Sequence, residues 1–374
     1  MGDIDFHHIE DHLLARFEQA LRSTHQSSVY HAEGDVYTHT MMVVEALQSL
    51  PEYQLLDERK RHILMVATLL HDVGKIPTSK FEDGDWHSPH HAPTGSRMVR
   101  QLFWKEYGWC GMEIPMQVRE AICLLVRYHS FPPHAIDMPD GKLRLHQMAS
   151  NSLLVPDFTL RMLCILGKAD MLGRKCEDRE QMLDQIALCE ELAKEEGCLD
   201  ACYPFPSDAT RRAFLSGQDV WKDQDLYDDT WGEVVLLSGL PGTGKDTWIN
   251  RHLPHLPMIS LDNIRRERKI SPKAEQGQVG NIAREQAKEY LRRRAPFVWN
   301  ATNITTQMRE SLVSLFETYH ARVRIVYLET NWQTQLERNR SREAVVSQQA
   351  IERMLAKMTL PEAYEARRVE WMNL

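Results

Sequence analysis

The sequence predicts a multidomain protein in which an all-α helical bundle is followed by an α/β domain built on a parallel sheet. Three observations support this division. The chain has 374 residues, a length that suits two ordinary domains. Apolar spacing changes from helical to strand-like near residue 231, and charge and histidine are unevenly distributed. We place the domains at 1–205 and 231–374, with 206–230 as a polar, acidic linker or interdomain helix.

Helical periodicity dominates the first part of the chain. The segments concerned are His39–Leu50, Asp57–Leu70, Pro115–Tyr128, Thr159–Leu172 and Arg179–Glu195. The stretch 77–95 is rich in Gly, Pro, Ser and Asp, which predicts a loop.

Short apolar runs alternate with helical stretches after residue 231. The predicted strands are Glu233–Ser238, Met258–Leu261, Pro296–Trp299 and Val323–Leu328. The predicted helices are Ala274–Arg294, Gln307–Tyr319 and Trp332–Arg340. This alternation favours a parallel sheet with helices on both faces.

Composition is that of a soluble globular protein, with 43% hydrophobic and 26% charged residues. No apolar run reaches the length of about 18 residues that a membrane helix needs, and the N-terminus lacks the pattern of a signal peptide. The seven cysteines lie between Cys110 and Cys202 without a CxxC pair. We therefore expect a cytoplasmic protein, no membrane partner, and cysteines that serve packing.

The net charge of −8 conceals two halves of opposite sign. Residues 231–374 hold 22 basic and 16 acidic residues, while 1–230 hold 23 basic and 37 acidic ones. The basic half is the better candidate to meet a phosphate-bearing polymer, although a nucleotide kinase can carry the same charge. Fourteen of the 17 histidines precede residue 206, so a metal site is sought in the first half.

Histidine and aspartate recur there in a pattern that suits a metal ion. His71 and Asp72 are adjacent at the end of a predicted helix, and His39 and Asp170 are distant in sequence. If the helices bundle, these four supply a mixed nitrogen and oxygen set suited to Mn, Fe, Co, Ni, Zn or Mg. Such a metal lowers the pKa of a bound water and polarises a phosphoryl oxygen.

Residues 25–180, with LLHDVGK at their centre, resemble the HD phosphohydrolase superfamily. The resemblance implies that His39, His71, Asp72 and Asp170 bind a first metal and that Lys75 lies near the scissile phosphate. It also assigns His91 and His129 to a second metal. Ala92 stands where that family usually has glutamate, which leaves the second metal open.

The segment YHAEGDVYTHTMM resembles the HD domain of bacterial tRNA nucleotidyltransferases. That resemblance implies that Glu33 and Asp35 shape the site and that the substrate is a polynucleotide terminus. The alternative is that this acidic turn only caps the following helix. We assign His7, His8, His12 and His31 to the surface or to packing.

A phosphate-binding loop is predicted between the first strand of the second half and the helix after it. Its backbone N–H groups and Lys245 are expected to hold the phosphates of ATP or another NTP. Asp246 stands where Ser or Thr normally ligates Mg²⁺, so it either holds Mg²⁺ through water or weakens the site. The candidate cofactor-binding residues are Gly239, Pro241, Gly242, Thr243, Gly244, Lys245, Asp246 and Thr247.

Two further elements of this half resemble the phage-type polynucleotide kinase family. Asp262 and Arg265, in the segment DNIR, match its Asp-x-x-Arg element, which implies a general base and a contact to the acceptor phosphate. Arg338 and Arg342, at i and i+4 spacing on one helical face, match its lid arginines, whereas Arg340 is expected in solvent. The segment WNATN (299–303) also looks familial, without an evident role.

As a whole, the chain resembles the bacterial HD-domain polynucleotide kinases, which are bifunctional end-healing enzymes. The resemblance implies hydrolysis of 2′,3′-cyclic, 2′- or 3′-phosphate ends with a divalent metal such as Mn²⁺, Ni²⁺, Co²⁺, Fe²⁺ or Zn²⁺. It also implies ATP- and Mg²⁺-dependent phosphorylation of 5′-OH ends of RNA or DNA, alongside a nucleic-acid ligase. Two alternatives stay open: a nucleotidase fused to a small-molecule kinase, and a non-catalytic nucleotide sensor.

Overall fold

The computed structural model describes residues 4–107, 114–270, 276–342 and 344–374, so Cys110 lies outside the described residues. The chain divides into two compact units, Met1–Tyr203 and Pro204–Leu374. None of the described helices combines the length and the apolar character needed to cross a membrane.

The first unit is helical apart from one short hairpin. Its elements in chain order are α1 (Phe6–Arg22), α2 (Val36–Ser49), α3 (Pro51–Gln54), α4 (Glu58–Leu70), α5 (Lys75–Thr78), β1 (Lys80–Glu82), β2 (Asp85–His87), α6 (His91–Gln101), α7 (Met116–Tyr128), α8 (Gly141–Ser150), α9 (Leu160–Leu172) and α10 (Arg179–Glu195). A π-helical turn at Leu102–Glu106 continues α6, and 3₁₀ turns lie at Pro132–His134 and Asn151–Leu153.

The five helices predicted in this unit are confirmed as α2, α4, α7, α9 and α10. Side-chain caps fix several of their starts. Asp35 accepts a hydrogen bond from the Thr38 amide at the start of α2, and Thr159 accepts one from the Met162 amide at the start of α9.

The prediction of a loop over 77–95 was wrong. Asp83 and Gly84 have φ values of 54° and 86°, and they form a two-residue turn that pairs β1 with β2 antiparallel. Asp-Gly is a preferred sequence for such a turn because both central residues need positive φ. Helix α6 then begins at His91, inside the predicted loop.

Helix α2 packs against α4 and α9, and α7 packs against α4 and α6. Gly173 follows α9 and allows a close approach to α2, because a Cβ at this position would lie 2.8 Å from the Val43 backbone nitrogen. This approach places the end of α9 beside α2, where a metal site was predicted. The buried cysteines Cys123, Cys164, Cys189 and Cys198 lie within this helical packing.

The second unit is an α/β domain with a parallel sheet, as predicted. Its elements are α11 (Asp208–Leu215), β3 (Glu233–Ser238), α12 (Lys245–His252), β4 (Met258–Ser260), α13 (Leu261–Glu267), α14 (Gln276–Arg292), β5 (Val298–Asn300), α15 (Thr306–Thr318), β6 (Arg322–Glu329), α16 (Trp332–Arg340), α17 (Gln348–Leu355) and β7 (Arg368–Asn373).

The sheet order is β4-β5-β3-β6-β7, and each neighbouring pair is parallel. Strand β7 was not predicted, since its sequence RVEWMN lacks a continuous apolar run. Helix α11 lies in the segment predicted as linker, and its Arg212 forms an ion pair with Glu317 of α15 at 2.8 Å.

Alternation along the central strand β3 builds two cores. Val234 and Leu236 face a cluster that includes residues of α14 and α15, whereas Val235 and Leu237 face Trp248 and Ile249 of α12. All four β3 residues are at most 1% exposed. Burial on both faces explains why β3 is a continuous apolar run rather than an alternating one.

Candidate functional site

Four side chains of the first unit meet at the contact of α2, α4 and α9. His39 Nε2 lies 3.1 Å from Asp170 Oδ1 and 3.3 Å from His71 Nε2, although the residues come from three different helices or helix ends. Asp72 Oδ2 lies 3.4 Å from His71 Nε2. All four side chains are at most 2% exposed. The structure therefore brings together the first predicted ligand set.

The other predicted ligands lie on the opposite side of Asp72. His91 Nε2 lies 3.4 Å from His129 Nε2, and Asp72 Oδ1 lies 3.4 Å from His91 Nε2 and 3.8 Å from His129 Nε2. Asp72 thus directs one carboxylate oxygen toward each group of histidines. This arrangement has the donors for two metal ions that share Asp72, even with Ala92 in place of glutamate.

The histidines are oriented as metal ligands. The Nδ1 atoms of His71, His91 and His129 lie 2.7, 3.0 and 2.8 Å from backbone carbonyl oxygens three residues earlier in the chain. His39 Nδ1 lies 2.9 Å from Glu33 Oε1. An oxygen acceptor at Nδ1 keeps the proton there and leaves Nε2 free to bind a metal. The donor set therefore fits divalent metal ions.

Two glycines seat His91 beside the His71-Asp72 pair. A Cβ on Gly74 would lie 2.0 Å from the His91 carbonyl oxygen and 2.6 Å from the Gly95 nitrogen. Only glycine at 74 allows this backbone approach. The start of α6 consequently rests on the turn after α4.

Electrostatics favour charged carboxylates at Asp72 and Asp170 and a neutral imidazole at His129. At His71, burial lowers the pKa, but the charges of Asp72 and Asp170 outweigh it and raise the pKa overall. Burial raises the pKa of Asp72, but the charges of Lys75 and His71 outweigh it and hold that pKa well below its usual range. Burial is likewise outweighed at Asp170, where Arg174 and His39 keep the pKa low. Burial lowers the pKa of His129 to about 3. Asp72, Asp170 and His129 thus have the protonation states that metal binding requires, and a bound cation would displace the proton from His71.

Lys75, the residue predicted near the scissile phosphate, is 5% exposed and lies at the edge of this group. Its Nζ lies 2.7 Å from Asp72 Oδ2, donates to Gln26 Oε1 at 2.7 Å, and lies 3.3 Å from His31 Nε2. The structure thus places an ammonium group directly against the carboxylate that both histidine groups share.

In the second unit, the loop after β3 has the backbone of a phosphate cradle. Gly239, Gly242 and Gly244 have φ values of 146°, 87° and 90°, which favour glycine. A Cβ on Gly242 would lie 2.5 Å from the Gln335 carbonyl oxygen, so α16 packs directly against the loop. Helix α12 begins at Lys245 without a side-chain cap, which leaves its first N–H groups for an anion.

Lys245 folds back onto this loop. Its Nζ donates to the carbonyl oxygens of Gly239 and Leu240, each at 2.8 Å. Burial lowers the pKa of Lys245 to about 8, and Arg342 acts in the same direction while Asp246 opposes it. An anionic phosphate bound in the loop would add a negative charge beside the amine and raise this pKa.

Asp246, the unusual residue of the loop, is held by the next strand of the sheet. Asn300, at the end of β5, donates through Nδ2 to Asp246 Oδ1 at 2.5 Å and is only 6% exposed. Thr247 is exposed, as is Asp246. The carboxylate is therefore fixed at the start of α12, where a phosphate-bound cation would sit.

Asp262 is held between two arginines. Arg265 NH1 donates to Asp262 Oδ1 at 3.0 Å, and Arg342 NH2 donates to Asp262 Oδ2 at 3.5 Å. Arg338 is close to the phosphate loop, since its NH1 would lie 3.5 Å from a Cβ on Gly244. The prediction that Arg338 and Arg342 share a helical face was wrong, because α16 ends at Arg340. Both arginines nevertheless border the same site.

Comparison with known families agrees with the two kinds of domain. Residues 36–163 match the model of the HD domain, and residues 234–361 match the AAA_33 model, described as AAA domain. The chain joins an HD domain to a kinase-like P-loop domain. Together these domains imply a divalent metal in the first unit and a nucleotide with Mg²⁺ in the second.

No curated protein matches the chain. Among solved structures, one described as a "putative kinase" from Chloroflexus aurantiacus J-10-fl is 16% identical, with a TM-score of 0.33. The match covers 39% of this chain and 86% of that chain.

Sequence reasoning missed several residues of the HD site. His31, assigned to the surface or to packing, is 8% exposed, and its Nδ1 lies 2.8 Å from Glu33 Oε1. Arg174 donates to both carboxylate oxygens of Asp170, at 3.1 and 2.6 Å. The four-residue spacing of Asp170 and Arg174 was an available signal. Asp35 caps α2, whereas Glu33 lies in the site.

Sequence reasoning also missed the residues whose hydrogen bonds hold the P-loop and the end of β3 in place. Gln335 donates through Nε2 to the Pro241 carbonyl at 3.1 Å, and Asn303 donates through Nδ2 to the Leu237 carbonyl at 2.6 Å. Ser238 Oγ donates in turn to the Asn303 carbonyl at 3.0 Å. The segment WNATN therefore supports the end of β3 and, through Asn300, the start of α12.

Proposed function

We propose that this protein heals nucleic-acid ends. The HD domain removes a 2′,3′-cyclic phosphate, or a 2′- or 3′-phosphate, and leaves hydroxyl groups. The P-loop domain transfers the γ-phosphoryl group of ATP to a 5′-OH. The observation that supports this proposal is that one chain carries a cluster of histidines and aspartates that could hold metal ions in one compact unit and a phosphate-binding loop in the other. Their products are the ends that a nucleic-acid ligase joins.

In the HD domain, His39, His71, Asp72 and Asp170 would hold one divalent metal, and Asp72, His91 and His129 a second. Mn²⁺, Ni²⁺, Co²⁺, Fe²⁺ or Zn²⁺ suits this donor set. A bound metal supplies a water of lowered pKa and polarises a phosphoryl oxygen. Lys75 and Arg174 add positive charge beside the donors. This charge attracts the phosphate and stabilises the negative charge that develops on it during the reaction.

In the P-loop domain, the loop 239–245 and the start of α12 bind the ATP phosphates together with Mg²⁺. Asp262 accepts the proton of the attacking 5′-OH, and Arg265 beside it holds the acceptor phosphate. Lys245, Arg338 and Arg342 stabilise the charge of the migrating phosphoryl group. The Asp262 contacts with Arg265 and Arg342 support this division of roles, because base and cations lie within hydrogen-bond reach of each other.

The test uses a labelled oligonucleotide with a 5′-OH and a 2′,3′-cyclic phosphate, incubated with ATP, Mg²⁺ and each transition metal in turn. This RNA is compared with a DNA oligonucleotide that carries a 5′-OH and a 3′-phosphate, because deoxyribose has no 2′-hydroxyl to form a cyclic phosphate, and both ends are analysed. We expect Asp262→Ala to lose only 5′ phosphorylation and Asp72→Ala to lose only removal of the 3′-end phosphate.

Loss of both activities in either variant would contradict the two-site assignment. Activity on mononucleotides but not on oligonucleotides would favour a nucleotidase fused to a small-molecule kinase. Nucleotide binding without any phosphoryl transfer or hydrolysis would favour a non-catalytic sensor.

A further inference from the structure

The hairpin β1–β2 carries an aromatic surface in which Phe81 is exposed and Trp86 is half-buried. Phe81 on β1 is 61% exposed and forms a T-shaped pair with Trp86 on β2, with 5.5 Å between ring centroids. The His25 ring lies 5.0 Å from the Trp86 ring, tilted by 32°. Neither the helical packing of this unit nor the proposed chemistry explains these rings.

The hairpin is attached to the phosphoester site through the loop that precedes α2. Gln26 accepts a hydrogen bond from Lys75 at 2.7 Å, while its neighbours His25 and Ser27 contact Trp86 and Asp85 of the hairpin. Consecutive residues of one loop thus touch the site and the hairpin alternately. The hairpin is therefore linked to Lys75 through three consecutive residues of this loop.

The chain also connects the hairpin directly to the site. The hairpin occupies the segment between Lys75 and His91, which both belong to the site. Ser79 Oγ and Ser88 Oγ share a hydrogen bond at 2.8 Å and close the base of the hairpin. The aromatic pair is consequently carried on a short arm whose two ends are both anchored at the site.

Charge indicates which part of a ligand this arm can contact. The hairpin carries Glu82, Asp83 and Asp85 against a single lysine, Lys80, so it repels a phosphate backbone. Cations that attract phosphate, Lys75 and Arg174, lie instead at the metal donors. An uncharged planar group next to a phosphate meets both requirements, and a nucleobase is such a group.

We propose that Phe81 and Trp86 form a stacking surface for the last bases of a single-stranded nucleic acid whose terminal phosphate occupies the HD site. This inference rests on the proposed hydrolase activity and specifies how that site selects a polynucleotide end. Stacking does not depend on base identity, so the surface accepts any terminal sequence.

The test compares two substrates in the intact protein: an oligonucleotide ending in 2′,3′-cyclic phosphate, and ribose 2′,3′-cyclic phosphate, which has the same reacting group but no base or other aromatic ring. We expect Phe81→Leu and Trp86→Leu each to lower the ratio of kcat/KM between oligonucleotide and ribose 2′,3′-cyclic phosphate by about tenfold, through KM. Phe81→Tyr keeps the ring and should keep the ratio within about twofold. The salt dependence of KM should not change, because aromatic contacts release no counterions.

A fall in both activities together, with an unchanged ratio, would assign the rings a structural role and overturn the inference. An unchanged oligonucleotide KM in both leucine variants would overturn it while leaving the hydrolase proposal intact. Hydrolysis of ribose 2′,3′-cyclic phosphate without any hydrolysis of oligonucleotide would overturn the nucleic-acid assignment and this inference together. If the wild type hydrolyses neither substrate, the proposed hydrolase function fails. In that case the Kd for the oligonucleotide is measured by fluorescence anisotropy, and the same Kd in wild type and Phe81→Leu would overturn the inference as well.

Discussion

Glu33 and His39 form a buried pair in which Oε1 of the carboxylate lies 2.9 Å from Nδ1 of the imidazole. Glu33 Oε1 also lies 2.8 Å from His31 Nδ1, and Oε2 accepts a hydrogen bond from the Lys175 amide at 2.9 Å. One carboxylate thus orients a metal-donor histidine and ties it to the histidine beside Lys75. A carboxylate in this position fixes the tautomer and raises the basicity of the ligand nitrogen.

From this relationship we predict that Glu33→Gln lowers the metal affinity of the HD site by about ten- to one-hundredfold, because the charge-assisted contact to His39 is lost. Isothermal titration of the metal-stripped protein with Mn²⁺ or Co²⁺ measures the change, independently of activity. The proposed kinase activity of the second unit should continue, since Glu33 belongs to the first unit.

Asp35→Ser is the matched control for that experiment. It removes a carboxylate from the same turn but retains an oxygen that can cap α2. We expect its metal affinity to stay within about twofold of wild type. Equal losses in Glu33→Gln and Asp35→Ser would show that the general negative charge of the turn matters rather than the contact to His39.

Asp246 is predicted to replace the hydroxyl group by which P-loops usually ligate Mg²⁺. We expect Asp246→Ala to raise the Mg²⁺ concentration for half-maximal kinase activity by about tenfold, and Asp246→Ser to restore it to within about twofold. Asn300→Ala should lie between them, because Asn300 only positions the carboxylate through its 2.5 Å hydrogen bond. The measurement is kinase rate against free Mg²⁺ at saturating ATP.

Thr247→Ala discriminates between the two oxygen donors at the start of α12. Thr247 lies one position after Asp246 and is exposed. Its removal should leave the Mg²⁺ requirement unaltered. A large rise in Thr247→Ala together with none in Asp246→Ala would move the cation contact to the threonine.

Lys245 leads to a prediction about proton uptake. Its pKa of about 8 in the ligand-free protein means that roughly half of the molecules carry a neutral Lys245 at pH 8. ATP phosphates next to the amine raise that pKa, so binding of Mg-ATP at pH 8 should take up about half a proton. Titration calorimetry in two buffers of different ionisation enthalpy measures the uptake directly.

Lys245→Arg should abolish this uptake, because a guanidinium stays protonated while it keeps the positive charge. The lowered pKa of Lys245 also determines how its contribution to the free energy of unfolding changes with pH. The folded-state pKa of about 8 lies below the usual 10.5, so the folded protein binds fewer protons than the unfolded chain between these values. The contribution of Lys245 to the free energy of unfolding therefore increases from pH 8 to about pH 10.5. Uptake of the same size in Lys245→Arg would assign the proton to another group.

Much of the fold and of both sites was predictable from sequence, because the signals are local. Apolar spacing identified α2, α4, α7, α9 and α10, and the turn residues 239–245 identified the P-loop. Strand β7 was not predicted because it is only half-buried and charged residues interrupt its apolar ones. The β1–β2 hairpin was not predicted because each of its strands has only three residues, although Asp83-Gly84 is a sequence typical of a hairpin turn.

Contacts between distant residues could not be read in the same way. Gln26 reaches Lys75 across 49 positions, and Asn300 reaches Asp246 across 54. Such partners have ordinary neighbours in sequence, so only the packed structure reveals them. Resemblance supplied the ligand residues for the same reason, since their spacing alone does not bring them together.

Arg309 makes contacts of this kind, with partners distant in sequence, that should contribute to stability. Its side chain is fully buried at the start of α15 and is hydrogen-bonded in several directions. Its Nε and NH2 donate to Glu365 at 2.6 and 2.8 Å, and its NH1 donates to the carbonyls of Asn303 and Thr359 at 3.0 and 2.9 Å. Because Asn303 also accepts from Ser238 at the end of β3, this cation supports the P-loop indirectly.

We predict that Arg309→Ala lowers the free energy of unfolding of the second unit by about 3–5 kcal/mol, because it leaves Glu365 buried without its partner. Equilibrium urea unfolding of the intact protein, followed through loss of kinase activity, measures the effect. Arg322→Ala is the matched control, since Arg322 pairs with Asp228 at 3.4 Å in the same unit and is 43% exposed. Its loss should cost about 1 kcal/mol. Equal losses in the two variants would mean that the buried network around Arg309 adds nothing beyond an ordinary ion pair.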